Sequence, residues 1–188
     1  EMTSSLVGSE MCIRDSYMLA LLRKGRFRSL LKDSKYGMFL HFGMNTYLNV
    51  EWSDGTALAS TYAPPADMAE KAAGWVKNAK RAGMRSIILT TKHHDGFCLW
   101  DSKYTEYDIA NPTIENKVDI VKAVSDACHK EGVAFSVYYS LWDRHEPSYQ
   151  KSDKRVYIQY MKNQLQELMT QYGTCLLYTS PSPRDSTS

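Results

Sequence analysis

The sequence contains no apolar run of the roughly 18 residues that a membrane-spanning helix needs, so a chain built around such a span is excluded. Cysteine is scarce: four in 188 residues, with no CxxC pair, make no disulfide scaffold. An excess of one charge is also missing. The net charge is +2, and the positives are dispersed apart from a short cluster at Arg23, Lys24, Arg26 and Arg28. That is too weak an electrostatic footprint for nucleic acid. No internal repeat and no flexible linker stand out. Neither nucleic acid nor a membrane is therefore an expected partner. What is present is ordinary for a globular protein: 43% hydrophobic and 23% charged residues, with 13 Tyr lifting the aromatic share to 12% and arguing against disorder. The length fits one domain or part of one.

Both ends read as foreign to the rest. Leu6 to Ser16 is LVGSEMCIRDS, and Cys175 to Asp185 is CLLYTSPSPRD. The DNA strand CTCGTGGGCTCGGAGATGTGTATAAGAGACA encodes Leu6 to Asp15 and begins Ser16. Its reverse complement encodes Cys175 to Arg184 and begins Asp185. Two unrelated exposed tails would not be complementary codon by codon, whereas the adaptor of a transposase-based sequencing library, read on opposite strands, gives both. The expected organisation is therefore adaptor-derived sequence at residues 1–16 and 175–188 flanking a partial domain at 17–174. On this reading both ends should pack poorly. Cys12 and Cys175 drop out, leaving Cys98 and Cys128. The natural N-terminus is missing, so no localisation is assigned.

Within the central segment, three short apolar runs read as strands: Met38 to Phe42, Ser86 to Thr91 and Val133 to Leu141. Continuously apolar strands suit a parallel sheet covered on both faces. Helices alternate with them. Asp67 to Ala82 carries Met68, Ala72, Trp75, Val76 and Ala79 at helical spacing; Lys117 to Glu131 carries Ile120, Val121, Val124, Ala127 and Cys128; Asp153 to Tyr172 carries Tyr157, Met161, Leu165, Leu168 and Tyr172. Gly83, Gly132 and Gly173 stand just past their ends, where a left-handed residue costs least. Alternating units of this kind imply parallel strands joined by right-handed crossovers. The helix-to-strand links are short, while the strand-to-helix links are long and hold most of the His, Trp and acidic residues. That asymmetry predicts an α/β fold made of the first three βα units of a TIM-like (β/α)8 barrel, truncated. A doubly wound sheet is the competitor, but HFGMNTY after the first strand is no glycine-rich phosphate loop.

The chemistry concentrates in TTKHHDGFCLWDSKYT, Thr90 to Thr105, directly after the second strand. A strand cap with solvated polar residues is one reading. A metal site needs three or more convergent ligands, and adjacent His93 and His94 diverge if the strand persists. The remaining reading is a hydrogen-bonding cluster for a polyhydroxyl ligand, with Phe97 and Trp100 available to face apolar sugar surfaces. His41 ends the first strand, Glu51 and Trp52 follow it, and Trp142, Asp143, His145 and Glu146 follow the third. In a barrel these loops emerge at one end, and a meeting of imidazoles, indoles and carboxylates there resembles a carbohydrate site.

KYGMFLHFGMNTYLNVEW (Lys35 to Trp52), AGMRSIILTTKHHDGFCLWDSKYTEYD (Ala82 to Asp108) and FSVYYSLWDRHEPSY (Phe135 to Tyr149) together resemble the alpha-L-fucosidase family of glycoside hydrolases, over about Asp33 to Gly173. HFGMNT and LWDRHEPSY are most similar to its alpha-1,3/1,4-fucosidase branch. The resemblance implies a retaining hydrolase that releases terminal L-fucose from a fucosylated oligosaccharide or glycoconjugate through a covalent glycosyl intermediate. It implies no cofactor and no metal. By motif position, His41, Glu51, Trp52, His93, His94 and Tyr138 hold the fucose; the strand pattern alone does not separate Tyr138 from Tyr139. The family's nucleophile is an Asp in a WFDG-like motif on the fourth strand, after a helix ending like LMTQYG. Here Thr174 is followed by the foreign end, so the expectation is a fragment without nucleophile or acid/base, inactive by itself. Glu51, Asp95 and Asp143 match neither catalytic position. A non-catalytic sugar-binding module and a metal-dependent barrel hydrolase using His93 and His94 are the alternative functions.

Overall fold

The computed structural model describes residues 35–180; the expectations for residues 1–16 lie outside this range. The elements run β1 (Gly37–Leu40), α1 (Met44–Leu48), a 3-10 turn (Ala59–Thr61), α2 (Met68–Arg81), β2 (Ser86–Lys92), α3 (Ile120–Glu131), β3 (Ala134–Ser140), a second 3-10 turn (Pro147–Gln150), α4 (Arg155–Gln171) and β4 (Leu176–Ser180). The sheet has four strands in the order β1-β2-β3-β4, and every neighbouring pair is parallel. This is a mixed α/β fold with a parallel sheet, as the alternating pattern requires.

The three long helices, α2, α3 and α4, are amphipathic and lay their apolar stripes on one side of the sheet. Met68, Ala72, Val76 and Ala79 of α2, Val121, Val124 and Cys128 of α3, and Tyr157, Met161, Leu165 and Leu168 of α4 are all buried in one core with Ile87, Leu89, Phe135, Val137 and Tyr139 of the strands. Helix α3 begins at Ile120, the first residue of its apolar pattern and three residues after the expected start at Lys117. Asp119 caps it, its side chain accepting from the Lys122 N–H at 2.8 Å, and this fixes the first turn. Gly83, Gly132 and Gly173 adopt φ of 84°, 69° and 71°, the left-handed stops expected of them.

Two features have no counterpart in the sequence pattern. The pairing of β2 with β3 slips between Thr90 and Lys92, so Thr91 is an extra residue, and its hydroxyl donates to the Tyr138 carbonyl at 2.8 Å. This bulge reverses the side-chain alternation of β2. Lys92 pairs with Tyr139 and enters the helix-side core; His93 is thereby released toward the end of the sheet rather than following Ile87 and Leu89 inward.

The second is β4. An adaptor-derived segment from Cys175 onward should pack poorly, and it does not: Leu176–Ser180 pairs with Ser136–Ser140 in register, and Cys175 and Leu177 are buried. The physical reason is local. CLLYTS is apolar and β-prone, it follows a helix stopped by Gly173, and a right-handed crossover delivers it to the free edge of β3. Packing at that edge does not require the strand's native sequence.

Candidate functional site

The site lies beyond the carboxyl ends of β1, β2 and β3. His41 follows β1 directly, His93 and His94 follow β2, and Tyr138 is on β3. The rings converge. The His41 and His93 centroids are 4.6 Å apart, edge to face; His93 and His94 are 4.3 Å apart; His93 stacks over Tyr138 at 6.2 Å. Trp52, from the loop after β1, lies 4.7 Å from His94 and 5.9 Å from His93. The divergence of His93 and His94 expected from a persistent strand does not occur, because β2 ends at Lys92 and the chain turns. Glu51 is exposed. Its backbone carbonyl accepts from Asn45 Nδ2 at 3.1 Å, and its carboxylate is close enough to His41 to raise that imidazole's pKa against the larger, lowering effect of burial. All six residues expected to hold a ligand thus stand at one edge of the sheet.

Four residues outside that set complete the arrangement. Asn45, on α1, also donates from Nδ2 to His93 Nδ1 at 3.2 Å. Ser140, at the end of β3, hydrogen-bonds His94 Nδ1 and donates to the Trp142 carbonyl at 2.8 Å. Trp142 lies 5.2 Å from the His94 ring, and Arg144 stands over Trp52 at 5.8 Å while donating to the Ser53 carbonyl. Trp142 is visible in sequence as one of the converging aromatics; Asn45 and Ser140 carry no motif signal of their own, because only the folded loops bring them to the imidazoles.

Several residues considered for ligand contact are structural instead. Trp100 and Phe97 are buried in the core, not aimed at a sugar: Trp100 Nε1 donates to Glu167 at 3.0 Å, and Phe97 packs between Tyr62 and Tyr107. Glu167 also accepts from the Ser102 hydroxyl and the Lys103 N–H, pinning the long loop after β2 onto α4. Asp143 is fully buried against Lys92, with Nζ to Oδ2 at 2.7 Å, and its Oδ1 accepts from the His145 and Glu146 N–H groups. Burial, the largest single influence, lowers the Lys92 pKa, but the Asp143 carboxylate together with the hydroxyls of Tyr139, Tyr157 and Tyr160 raises it well above normal. His145 stacks on Tyr107 at 3.9 Å and bonds the Gly55 carbonyl, and Glu146 caps the following turn. Glycines let these loops interlock. A Cβ at Gly96 would collide with Asp143 Oδ1, and one at Gly55 would meet the backbone of both later loops at under 3 Å, the closest at 2.8 Å.

Desolvation sets the charge state. It lowers His93 to about 3 and His94 to about 4, with the Arg144 charge and neighbouring imidazoles adding to both. Both rings are neutral near pH 7, able to donate at one nitrogen and accept at the other. Flanked by Trp52 and Trp142, they form a surface of neutral polar atoms between apolar rings. Among the described residues, no three His, Cys, Asp or Glu side chains converge at metal-holding spacing.

Fold and site together define a class: a parallel α/β unit whose polar and aromatic groups collect on the loops beyond the carboxyl ends of its strands. Comparison with known proteins gives the family. Residues 68–184 match the alpha-L-fucosidase family model, and the chain belongs to that family. It is 42% identical over 137 residues to alpha-L-fucosidase 1 of Arabidopsis thaliana, covering 72% of this chain and 26% of that protein. Among solved structures it resembles a glycoside hydrolase 29 family member from a rumen bacterium, with TM-score 0.72 and 38% identity over 81% of this chain and 27% of the other. It also resembles a Ruminococcus gnavus GH29 fucosidase mutant in complex with fucose, with TM-score 0.67 and 33% identity over 85% of this chain and 36% of that one. The chain spans about a quarter of the length of the Arabidopsis relative.

Proposed function

We propose that this chain is the N-terminal part of the catalytic barrel of a retaining alpha-L-fucosidase and carries the half of the active site that holds terminal L-fucose. The observation that carries the reading is the ring cluster of His41, Trp52, His93, His94 and Tyr138 at the strand ends, in a chain of this family. Fucose has several hydroxyls and an apolar methyl edge. Neutral imidazoles suit the hydroxyls, indole rings suit the C–H surfaces, and Glu51 adds a carboxylate acceptor at the rim. The substrate class is a fucosylated oligosaccharide or glycoconjugate; the HFGMNT and LWDRHEPSY motifs favour the alpha-1,3/1,4 branch.

The parallel order of the strands and the long loops at one edge support the first units of a (β/α)8 barrel. By the family resemblance the nucleophile belongs on the strand after helix α4, yet Leu176–Ser180 reads LLYTS and has no carboxylate. Together with the complementary codons of the two ends, this supports adaptor-derived sequence at 1–16 and 175–188. A retaining mechanism needs a nucleophile to form the glycosyl intermediate and an acid/base to protonate the leaving oxygen. The 188-residue chain as written is therefore expected to be inactive, while the full-length enzyme containing residues 17–174 cleaves fucosides. The test is to assay both on an aryl alpha-L-fucoside. Turnover by the purified 188-residue chain would remove the fragment reading; an inactive full-length enzyme would remove the fucosidase one.

A further inference from the structure

His93 and His94 are adjacent, both neutral near pH 7, and among the described residues each hydrogen-bonds the protein through Nδ1 alone. Their partners are not equivalent. The Glu51 carbonyl can only accept, so the Asn45 group facing it is the amide nitrogen. That same nitrogen faces His93 Nδ1 at 3.2 Å, which must then be the bare, accepting nitrogen. A neutral His93 consequently carries its proton on Nε2. On the other ring the logic reverses. The Ser140 hydroxyl gives its one proton to the Trp142 carbonyl, which can only accept. The Ser140 oxygen is left to accept from His94 Nδ1, so a neutral His94 carries its proton on Nδ1 and leaves Nε2 bare.

We propose that Asn45 and Ser140 lock His93 and His94 in opposite neutral tautomers, so that the site presents one N–H donor and one bare nitrogen acceptor side by side to neighbouring hydroxyls of the sugar. The ring centroids are 4.3 Å apart with planes tilted by 36°, so the two imidazoles stand side by side as neighbours for one sugar ring. Neither Nε2 has a protein hydrogen bond among the described residues, and neither is a buried atom left without a partner. A hydroxyl that must accept from His93 and one that must donate to His94 are thereby distinguished, which fixes the direction in which the sugar's hydroxyl protons run. Asn45 and Ser140 are positioning residues: they act on the sugar through the imidazoles.

The second half of the proposal rests on the fucose-holding reading; the first does not. Long-range proton–nitrogen NMR of the full-length enzyme, labelled with nitrogen-15 at histidine, reports the tautomer of each ring directly. The expected result at pH 7 is Nε2–H for His93 and Nδ1–H for His94; the same tautomer on both rings would overturn the proposal. Asn45→Asp is nearly isosteric but replaces the donor with an acceptor. It is expected to move the His93 proton to Nδ1 and to weaken competitive inhibition by L-fucose about tenfold, the loss of one hydrogen bond to a sugar hydroxyl. Ser140→Ala is expected to abolish the single-tautomer signature of His94 with a similar loss. Changed tautomers with unchanged L-fucose inhibition would overturn the recognition role. A wild-type enzyme with the expected tautomers that L-fucose does not inhibit would instead count against the fucose-holding reading, leaving the tautomer assignment standing.

Discussion

Ile87, Leu89, Phe135 and Val137, on the helix-facing side of β2 and β3, are sealed from water by α2, α3 and α4. On the loops beyond the carboxyl edge of the same sheet, His41 is exposed, Trp52 is 48% exposed and Trp142 39% exposed. The first region is held by carbon packed on carbon and makes no demands on hydrogen-bond direction. The second is held by donors and acceptors that must each find a specific partner, and it keeps apolar rings at the surface that packing alone would bury. Stability should therefore reside in the first region and ligand recognition in the second, and substitutions should separate the two. Phe135→Ala is expected to cost about 3–5 kcal/mol of unfolding free energy through the lost transfer energy and the cavity left behind. Trp52→Ala is expected to cost less than about 1 kcal/mol, because half of the ring is already wet, while lowering the full-length enzyme's kcat/KM on an aryl fucoside severely. Denaturant titration and steady-state kinetics on both variants would break the comparison if the effects were reversed.

The buried Lys92–Asp143 pair joins the two regions. Lys92 lies in the helix-side core, with its ammonium 4.3 Å from the Tyr139 ring centre, and Asp143 stands between Trp142 and Arg144 of the site. Removing one member leaves an uncompensated buried charge. Lys92→Met alone is expected to destabilise by about 3–5 kcal/mol, whereas Lys92→Met with Asp143→Leu should recover most of that loss. Recovery of stability should not restore function. A leucine in place of Asp143 has no oxygen to gather the His145 and Glu146 N–H groups, so the loop carrying Trp142 and Arg144 loses its anchor. A double variant as active as wild type would mean that the pair serves the core alone.

The same contrast explains how much is legible in the sequence. The helix-side core can be read almost residue for residue, since apolar spacing is a property of the local chain: Met68, Ala72 and Val76, or Tyr157, Met161 and Leu165, can face only one way. Family motif and topology pick out the six proposed site residues, because strands of a parallel sheet deliver their carboxyl ends to one edge. The partners of those residues are not legible. The bulge at Thr91 shifts parity by one residue without any glycine to announce it. Trp100, which looks like a sugar platform in sequence, is claimed by Glu167, a carboxylate 67 positions away. Asp143 looks like a site carboxylate until Lys92 is found inside the core. Long loops hide such facts, since their contacts are set by neighbours distant in sequence rather than by period.

The smallest expected effect concerns Asp95, at the junction of the two regions. Its side chain is 1% exposed; Oδ1 accepts from the Phe97 N–H at 2.7 Å, and Oδ2 is buried without a hydrogen-bond partner. Desolvation raises its pKa from 3.8 to about 6, with the Asp143 charge adding to the rise and the Phe97 N–H opposing it. The folded state thus binds the Asp95 proton more tightly than the unfolded chain does. Its favourable contribution is fully present below the unfolded value near 4, fades as pH rises through about 6, and is absent above that, where folding must bury an ionised carboxylate. Asp95→Asn keeps the acceptor for Phe97 and removes the charge. The variant should match wild type near pH 4 and exceed it by about 2 kcal/mol at pH 7.5, with the gap opening between those values. His93 and His94, whose lowered pKa values make both proteins less stable as pH falls below about 6.5, cancel in this difference. Urea titrations of the pair at four or five pH values measure it. A gap independent of pH would mean that Asp95 reaches water, and that the loops over the sheet end are packed less tightly than the core beneath them.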